Sequence, residues 1–508
     1  MSRLPNVRTP RAEEVATIAK ELGFSFSEED VQSFTALLAG PIASYNRLDE
    51  LVEPKLPVKY SRMPGHRPKF DENPLNAWAW KAEVKGAAKG QLEGKTIVLK
   101  DNISLAGVPM SNGTSIMEGF VPDIDATVVT RILDAGGTVS GKAANTYLCF
   151  DGGSHTTATG MVENPWKKGH SAGGSSSGSA ALVANGDVDM ALGGDQGGSI
   201  RIPACWCGVY GLKPSHGLVP YTGIFPIEQT LDHTGPIART VADIATLLQV
   251  IAGEDGYDPR QKAPKLQDYT SKLNAGVKGL KIGVVEEGFG HVNSEIEVDK
   301  SVNAAIDALE KVGAEVTRVS IPMHNDGPHI WGGIANEGAA TQMMHGNAYG
   351  INWHGYYDTP LIDAFGNAWR ARPDDLSETV KFVMLIGEYM KRKYNGRYYG
   401  KAQNLRYSLI KAYDEQLAKF DVLVMPTLPM RATKLPSAES GPEEIIDVAL
   451  NMLGNVCVFD VTGHPAITVP CGESGGLPIG MMIVGGRYDE AMVLRVAAAC
   501  EKEKFYEV

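Results

Sequence analysis

Hydrophobic residues recur at helical spacing in the first part of the chain. Residues 12–22 form a short amphipathic segment, and Ser27 to Asp30 resembles a capping box that opens a second helix. Gly40-Pro41 is expected to interrupt that second helix. A Pro-punctuated polar stretch follows to about residue 75 and is typical of a linker. The pattern therefore predicts an N-terminal helical segment with its linker over residues 1–90.

From Leu92 onward, short β-branched runs alternate with helical patterns. Residues 96–99 are predicted as a strand that enters a loop at Lys100, and residues 126–134 as a helix. A strand over 138–140 follows after a Gly-Gly turn. The same alternation recurs over 280–285, 298–312 and 421–425. Alternating strands and helices predict a layered α/β body with a largely parallel or mixed sheet.

Composition narrows the possible classes of function. Hydrophobic residues make up 43% of the 508 residues and charged residues 21%, which is enough apolar material for a folded core. A net charge of -12 opposes attraction to nucleic acid or to an anionic membrane. No apolar run approaches the roughly 20 residues of a membrane span, and none follows the first residues as in a signal peptide. We therefore expect a cytoplasmic enzyme without nucleic-acid or membrane partners.

The cysteines and histidines do not suggest a metal or a disulfide framework. The six cysteines are few for this length, and Cys205 and Cys207 are too closely spaced for the usual zinc or redox pair. The histidine pairs of the region 324–354 also lack zinc-binding spacing. We predict six buried reduced thiols, no metal and no cofactor.

Twelve aromatic residues lie between residues 324 and 400. This density is about twice the chain average of 7%. Such a segment either packs a core or forms a cap or pocket for an apolar substrate, and the sequence leaves both interpretations open.

Two glycine-rich motifs resemble known sites without matching them. Residues 136–143 approach a phosphate-binding loop, but Ala143 stands where a hydroxyl would hold magnesium, and the motif contains a predicted strand. Ser176 is the centre of Gly174–Gly178, which has the spacing of a nucleophile elbow. The preceding residues read as a loop, whereas an elbow follows a hydrophobic strand. Both alternatives, nucleotide binding and an α/β-hydrolase triad, are therefore disfavoured.

A third glycine-rich turn is better suited to chemistry. An apolar run over 190–192 enters a turn with four glycines, and Ser199 carries its only hydroxyl. Successive glycines let backbone N–H groups converge on one point, as an oxyanion hole requires, so Ser199 is a candidate nucleophile. Lys100 follows an apolar strand, where burial would lower its pKa towards that of a general base. An ordinary turn and a solvated surface lysine remain the alternatives.

Taken together, these features resemble the amidase signature family over about residues 90 to 490. The shared motifs are Lys100-Asp101-Asn102, the Gly/Ser run 173–179, the turn ending in Ser199, Asn164-Pro165-Trp166, Arg201-Ile202-Pro203-Ala204, residues 211–217 and residues 234–241. The resemblance implies an α/β/α layered catalytic domain with a central mixed β-sheet over residues 91–508. The aromatic-rich residues 324–400 are placed within that domain as a substrate-pocket or cap region.

The resemblance further implies a Ser-cisSer-Lys triad. Ser199 would be the nucleophile, Ser175 the bridging serine after a cis peptide bond, and Lys100 the neutral base. The backbone N–H groups of four residues would form the oxyanion hole, namely Gln196, Gly197, Gly198 and Ser199. Four residues would support the loops, namely Gly174, Ser176, Asp195 and Arg201.

The subgroup is similar to bacterial amidases of broad aliphatic and aromatic specificity, often met in nitrile degradation. The implied activity is hydrolysis of the C–N bond of linear carboxamides through an acyl-enzyme. A carbamate or aryl acylanilide hydrolase with the same triad is one alternative, and a glutaminase-like subunit of an amidotransferase is another. The N-terminal helices of that subgroup serve in dimerisation, so the resemblance implies a homodimer.

Overall fold

The computed structural model describes residues 7–348, 354–437 and 439–503. The chain divides into two compact units, Met1–Leu56 and Pro57–Val508. The first unit contains helices α1 (Ala12–Glu21) and α2 (Glu28–Glu50). The Ser27 hydroxyl accepts the Asp30 N–H, and the Asp30 carboxylate accepts the Ser27 N–H in return. This reciprocal pair confirms the predicted capping box.

Two features of the N-terminal region differ from the sequence-based expectation. Helix α2 continues through Gly40 and Pro41, so the predicted interruption is wrong. A single proline removes one backbone hydrogen bond, and the helical residues on both sides are enough to continue the helix. The residues that were expected to be helical up to residue 90 also include a strand, Trp78–Lys85. Cross-strand pairing overrides local propensity there, because this strand is antiparallel to Thr138–Ala143.

One mixed sheet of eleven strands organises the described part of the second unit. Its strands are β1 (Trp78–Lys85), β2 (Thr96–Lys100), β3 (Thr138–Ala143), β4 (Met190–Asp195), β5 (Tyr210–Lys213), β6 (His233–Ala238), β7 (Lys281–Val285), β8 (Glu315–Val319), β9 (Val422–Pro426), β10 (Ala466–Ser474) and β11 (Leu477–Gly485). The order across the sheet is β1-β3-β2-β4-β6-β5-β10-β11-β9-β7-β8. Strands β3, β2 and β4 run parallel, as do β9, β7 and β8, and antiparallel pairs join these two groups.

Helices cover both faces of this sheet. They are α3 (Thr127–Asp134), α4 (Ser177–Asn185), α5 (Arg201–Cys207), α6 (Val241–Ile251), α7 (Ile296–Lys311), α8 (Gly327–Ala339), α9 (Thr359–Ala371), α10 (Glu378–Tyr394), α11 (Arg397–Leu417), α12 (Pro442–Leu450), α13 (Cys457–Thr462) and α14 (Glu490–Lys502). Strand β9 shows the layering most directly. Val422 and Val424 join the core that contains α6, α7 and α14, whereas Leu423 and Met425 join the core that contains α8 and α13. Because successive side chains of a strand point to opposite faces, this alternation confirms the predicted α/β/α arrangement.

Two further sequence-based expectations concern buried groups. All six cysteines are free and buried, as predicted. Lys142, in the motif that resembles a phosphate-binding loop, lies within β3 and is fully buried. Its Nζ contacts the Asp101 carboxylate at 3.2 Å and the Ile103 carbonyl at 2.5 Å. The amine is thus engaged by protein groups.

In the described ranges, no helix is both long and apolar enough to cross a membrane.

Candidate active site

Two parallel strands place Lys100 and the turn that carries Ser199 at one edge of the sheet. Strands β2 and β4 are neighbours in the sheet, with Leu99 paired to Leu192. Because parallel strands end at the same edge of a sheet, Lys100 at the end of β2 lies beside the turn that follows β4. Ser199 belongs to that turn. The site is therefore formed at the carboxyl ends of adjacent strands, where ligands of α/β proteins commonly bind.

Lys100 is buried with a serine as its nearest partner. Its Nζ lies 2.7 Å from the Ser175 Oγ and 3.4 Å from the Gly194 carbonyl oxygen. The side chain is 0% exposed. Burial lowers the pKa of Lys100 below its ordinary value, and the Cys149 thiol and nearby carboxylates only partly oppose this effect. The arrangement favours a neutral amine that can accept a proton from a hydroxyl.

The loop that carries Ser175 has the expected cis peptide bond, between Gly174 and Ser175. Gly174 donates its N–H to the Gly152 carbonyl at 2.7 Å, and the Thr146 N–H reaches the Ser175 carbonyl at 3.2 Å. A Cβ on Gly174 would lie 2.5 Å from the Asp151 carbonyl oxygen, so only glycine fits this close approach. These contacts fix the position of Ser175 beside Lys100.

Ser176 ties the serine-rich loop to the nucleophile turn. Its hydroxyl bonds both the carbonyl and the N–H of Gly194, at 3.1 and 3.2 Å. Its own N–H donates to the Ser199 carbonyl at 3.2 Å. The Ser176 hydroxyl is therefore buried and occupied, which argues against the nucleophile-elbow alternative. Ser199 is 8% exposed and borders a cavity, whereas Ser175 and Ser176 are fully buried.

The Asp195 carboxylate, paired with Arg201, stabilises the backbone of the turn that carries Ser199. The Asp195 carboxylate accepts the N–H groups of Gly198 at 2.5 Å and Ile200 at 3.0 Å. Arg201 donates to both Asp195 oxygens, from Nε and from Nη2, at 3.0 Å each. Burial alone would raise the pKa of Asp195, but the Arg201 guanidinium lowers it to about 2. Asp195 is thus an ionised carboxylate that organises the backbone around Ser199.

The backbone N–H groups of the turn are not all equally available. The Gly198 N–H is already bonded to Asp195. Those of Gln196, Gly197 and Ser199 have no acceptor among the described residues. Of the four expected oxyanion donors, Gly198 is therefore not available to a substrate oxygen, and Gln196, Gly197 and Ser199 remain candidates. A sequence cannot show this, since it does not reveal which way each N–H points.

A cavity of about 440 Å³, including the space at its mouth, opens beside Ser199. Its lining is mostly apolar and comprises Cys149, Phe150, Asp151, Gly152, Gln196, Gly197, Ser199, Ile227, Leu231, Trp331, Ala335, Leu450 and Leu453. The one acidic side chain in this set, Asp151, accepts N–H groups from Gly153, His155 and Thr156. The cavity therefore suits an uncharged, apolar group next to the nucleophile.

Among its described residues, the aromatic-rich region 324–400 contributes one aromatic side chain to this cavity, Trp331 of α8. Its Nε1–H donates to the Gln196 carbonyl at 2.7 Å, and a Cβ on Gly197 would lie 2.8 Å from its ring. Other aromatics of the region fill the core, as Phe365 does in edge-to-face contact with Phe225. Tyr349 and Trp353 lie outside the described residues. The pocket interpretation thus holds for Trp331, whereas the core interpretation holds for residues such as Phe365.

Three contributors could not be identified from the sequence, namely Trp331, Tyr221 and Asp460. Trp331 was one of twelve aromatics without a distinguishing context. The Gln196 side chain donates to the Tyr221 hydroxyl at 2.8 Å, and the Asp460 carboxylate accepts from Arg201 at 2.8 Å. Asp460 lies 259 residues beyond Arg201 in the chain. Only the flanking apolar residues of α13 indicated that this acid would be buried.

Comparisons with known proteins agree with this geometry. The family model described as Amidase matches residues 68–494. An enantioselective amidase of Rhodococcus rhodochrous is 45% identical over 500 residues, covering 97% of this chain and 96% of that protein. The solved structure of native peptide amidase from Stenotrophomonas maltophilia gives a TM-score of 0.67 at 28% identity, covering 81% and 83% of the two chains. A bacterial aryl acylamidase gives 0.70 at 26% identity, covering 82% and 84%.

The match extends over nearly the whole second unit and includes every motif that carries the triad. The match to the 45% identical relative covers 97% of this chain and therefore extends into the N-terminal unit as well. The chain therefore belongs to the amidase signature family and is an amide-hydrolysing enzyme.

Proposed function

We propose that this enzyme hydrolyses the C–N bond of carboxamides with an apolar acyl group through an acyl-enzyme on Ser199. The observation that carries the proposal is the 2.7 Å contact between the buried Lys100 Nζ and the Ser175 Oγ. This pair lies beside a turn that presents Ser199 to an apolar cavity. A buried lysine next to a hydroxyl relay is an arrangement that activates a serine without a histidine.

The reaction begins with the neutral Lys100 amine. Lys100 accepts the Ser175 proton while Ser175 accepts the proton of Ser199, and the Ser199 oxygen attacks the amide carbonyl. The same relay, working in reverse, delivers a proton to the leaving nitrogen as the C–N bond breaks. Water then attacks the ester on Ser199 while the relay accepts its proton. The relay returns that proton to the Ser199 oxygen as the ester C–O bond breaks, and the carboxylic acid is released.

The oxyanion of each tetrahedral intermediate would be held by the N–H groups of Gln196, Gly197 and Ser199. Gly198 would instead hold the turn in shape through its bond to Asp195. Fixed donors of this kind contribute on the order of 3 kcal/mol each to lowering the barrier. Trp331 supports the second of them, because its N–H bonds the Gln196 carbonyl, which belongs to the same peptide unit as the Gly197 N–H.

The cavity favours an apolar acyl group over glutamine. Glutamine carries an α-amino and an α-carboxylate group, and each would need a charged or strongly polar partner after leaving water. The lining contains one carboxylate, and backbone N–H groups already occupy it. Anilides and aryl carbamates present the same carbonyl geometry, so these two classes belong in the substrate test.

We further propose a cytoplasmic homodimer formed through the N-terminal helices. Helix α2 has no buried residue along its 23 residues. Leu37 and Leu48 are 68% and 61% exposed, and they lie three turns apart on one side of the helix. An exposed apolar stripe of this length is typical of a helix that packs against a partner. Six free thiols are consistent with a reducing compartment.

The test is a mass-spectrometric assay of the purified protein on aliphatic amides, aromatic amides, anilides, aryl carbamates and glutamine. We expect turnover of apolar carboxamides and an acyl adduct on the peptide that contains Ser199. The Ser199→Ala variant should lose at least about 10³-fold in kcat. Turnover of glutamine alone would contradict the proposed substrate class. Full activity of the Ser199→Ala variant would remove the nucleophile assignment.

A further inference from the structure

An acidic residue from the C-terminal part of the chain lies close to the turn that carries Ser199. Asp460 lies on α13 and is fully buried. The Nη2 of Arg201 donates to Asp460 Oδ2 at 2.8 Å and to Asp195 Oδ1 at 3.0 Å. Asp195 in turn holds the Gly198 N–H. Asp460 is therefore linked to the turn that carries Ser199 (the oxyanion loop, residues 195–199) through one guanidinium nitrogen of Arg201.

The surroundings of Asp460 do not suit a second full negative charge. Its Oδ1 is buried and accepts no hydrogen bond from the described residues. The nearest imidazole nitrogen, His233 Nδ1, is 3.4 Å away and donates to the Leu231 carbonyl at 2.7 Å instead. A buried ionised carboxylate needs donors at both oxygens, whereas a protonated one supplies a donor itself.

Lys213 is the other nearby cation, and its hydrogen bonds go elsewhere. Its Nζ donates to the carbonyls of His464 at 2.7 Å and Pro214 at 3.1 Å. Burial lowers the pKa of Lys213 to about 7, so this amine readily loses its charge near neutral pH. Arg201 therefore pairs with only one of the two Asp460 oxygens, and Lys213 forms no hydrogen bond with either among the described residues.

The two carboxyls that share Arg201 differ in proton affinity. Burial raises the pKa of Asp460 well above its usual range, the negative Asp195 raises it further, and Arg201 and Lys213 only partly oppose this. At Asp195 the effect of Arg201 exceeds that of burial and lowers the pKa to about 2. Paired carboxyls in one site commonly separate in this way, with one ionised and the other protonated.

We propose that Asp460 is a positioning residue of this enzyme and acts as a neutral carboxylic acid. Its Oδ2 accepts the Arg201 Nη2–H, and its own proton is shared with the Asp195 carboxylate. The ionised Asp195 is thereby fixed with Arg201, and the oxyanion loop is held without a second buried negative charge. This role rests on the oxyanion hole of the proposed function.

The test compares Asp460→Asn with Asp460→Ala and Asp195→Asn. An amide keeps the acceptor and the donor of a protonated acid, so Asp460→Asn should stay within about threefold of the parent kcat. Asp460→Ala leaves Arg201 with one carboxyl, and we expect kcat to fall about 10²-fold with KM changed less than threefold. Asp195→Asn removes the ionised acceptor, and we expect it to lower kcat more than Asp460→Asn does. An Asp460→Asn variant as impaired as Asp460→Ala would overturn the proposal.

A second measurement does not depend on turnover. Infrared difference spectra between the parent and Asp460→Asn should show loss of one carbonyl-stretch band of a protonated carboxyl at neutral pH. The same comparison in a Ser199→Ala background should give the same band. If that band is absent and a carboxylate band is lost instead, Asp460 is ionised and the proposal fails, whatever the identity of the nucleophile. If Asp460→Ala does not fold, the asparagine variant and the infrared band decide alone.

Discussion

Lys100 and Lys142 are both buried on the paired strands β2 and β3, and their different partners indicate different roles. Lys142 contacts the Asp101 carboxylate at 3.2 Å and a backbone carbonyl. Lys100 forms no ion pair with the described residues, and its closest partner is the Ser175 hydroxyl. Burial lowers the pKa of both amines, but at Lys142 the Asp101 carboxylate opposes the shift. A carboxylate partner favours the charged amine, so Lys100 is the better base.

The pH dependence of activity tests the state of Lys100. Only the neutral amine can accept the proton, so kcat/KM should rise as pH increases through the lowered pKa of Lys100 and then level off. The measurement is kcat/KM for one neutral amide across pH, with stability monitored at each point. A rise that occurs only in the ordinary range of an exposed lysine would contradict the lowered pKa.

Neighbouring serines provide a matched pair for the relay. Ser175→Ala removes the hydroxyl in contact with Lys100, and we expect kcat to fall by about 10²- to 10⁴-fold. Ser177→Ala is the control, because the buried Ser177 hydroxyl has no hydrogen-bond partner among the described residues. Its kcat should stay within about twofold of the parent. Equal rates for the two variants would remove Ser175 from the mechanism.

At the scale of elements, the site depends on which strands are neighbours. Strands β2 and β4 are separated by ninety residues in sequence, yet their parallel pairing places Lys100 beside the turn after Asp195. Helix α8 then places Trp331 against that turn. One tryptophan thus both lines the substrate space and fixes the Gln196 peptide. We expect this dual contact to influence both specificity and rate.

Trp331→Phe separates these two effects. The ring still fills the cavity wall, but the hydrogen bond to the Gln196 carbonyl is lost. We predict that kcat falls by about tenfold for every amide, whereas the ranking of substrates by acyl size is retained. Steady-state kinetics on three amides of increasing acyl size would test this. Trp369→Phe is the control, since Trp369 bonds Asn347 and does not line the cavity. A changed ranking with kcat preserved would indicate that the indole only shapes the pocket.

At the scale of the whole molecule, the residues of the proposed chemistry lie within the unit Pro57–Val508. The N-terminal unit, Met1–Leu56, contributes none of them and presents a long helix without buried residues. The proposed assembly through α2 can therefore be tested without changing any residue of the proposed chemistry. The sheet is continuous through the second unit, because antiparallel strands join its two parallel groups into one structure.

Charge on the exposed stripe of α2 tests the proposed dimer. Leu37→Glu combined with Leu48→Glu should convert a dimer into a monomer in light scattering at micromolar concentration, because two charges would be buried in the interface. Turnover per chain should persist. Gln32→Glu adds charge to a different side of the same helix and should leave the dimer intact. A parent protein that already scatters as a monomer would exclude the dimer.

Local signals in the sequence were sufficient for much of this protein. Glycine spacing and an apolar strand before Lys100 are short-range features that made Ser199 and Lys100 candidates. The family resemblance added Ser175, whose Oγ lies 2.7 Å from the Lys100 Nζ. The alternation of strands and helices likewise predicted a layered α/β body. Each of these features depends on residues that are close along the chain, so the sequence alone could determine them.

Other features were decided only by the tertiary structure. Pairing with β3 made a strand of Trp78–Lys85, where the local pattern favoured helix. The direction of each N–H in the nucleophile turn, and the loss of the Gly198 donor to Asp195, depend on backbone geometry. Trp331 and Asp460 reach the site from more than a hundred residues away. Long-range packing determines such contacts, and no local pattern of apolar and polar residues specifies which buried side chain a turn will meet.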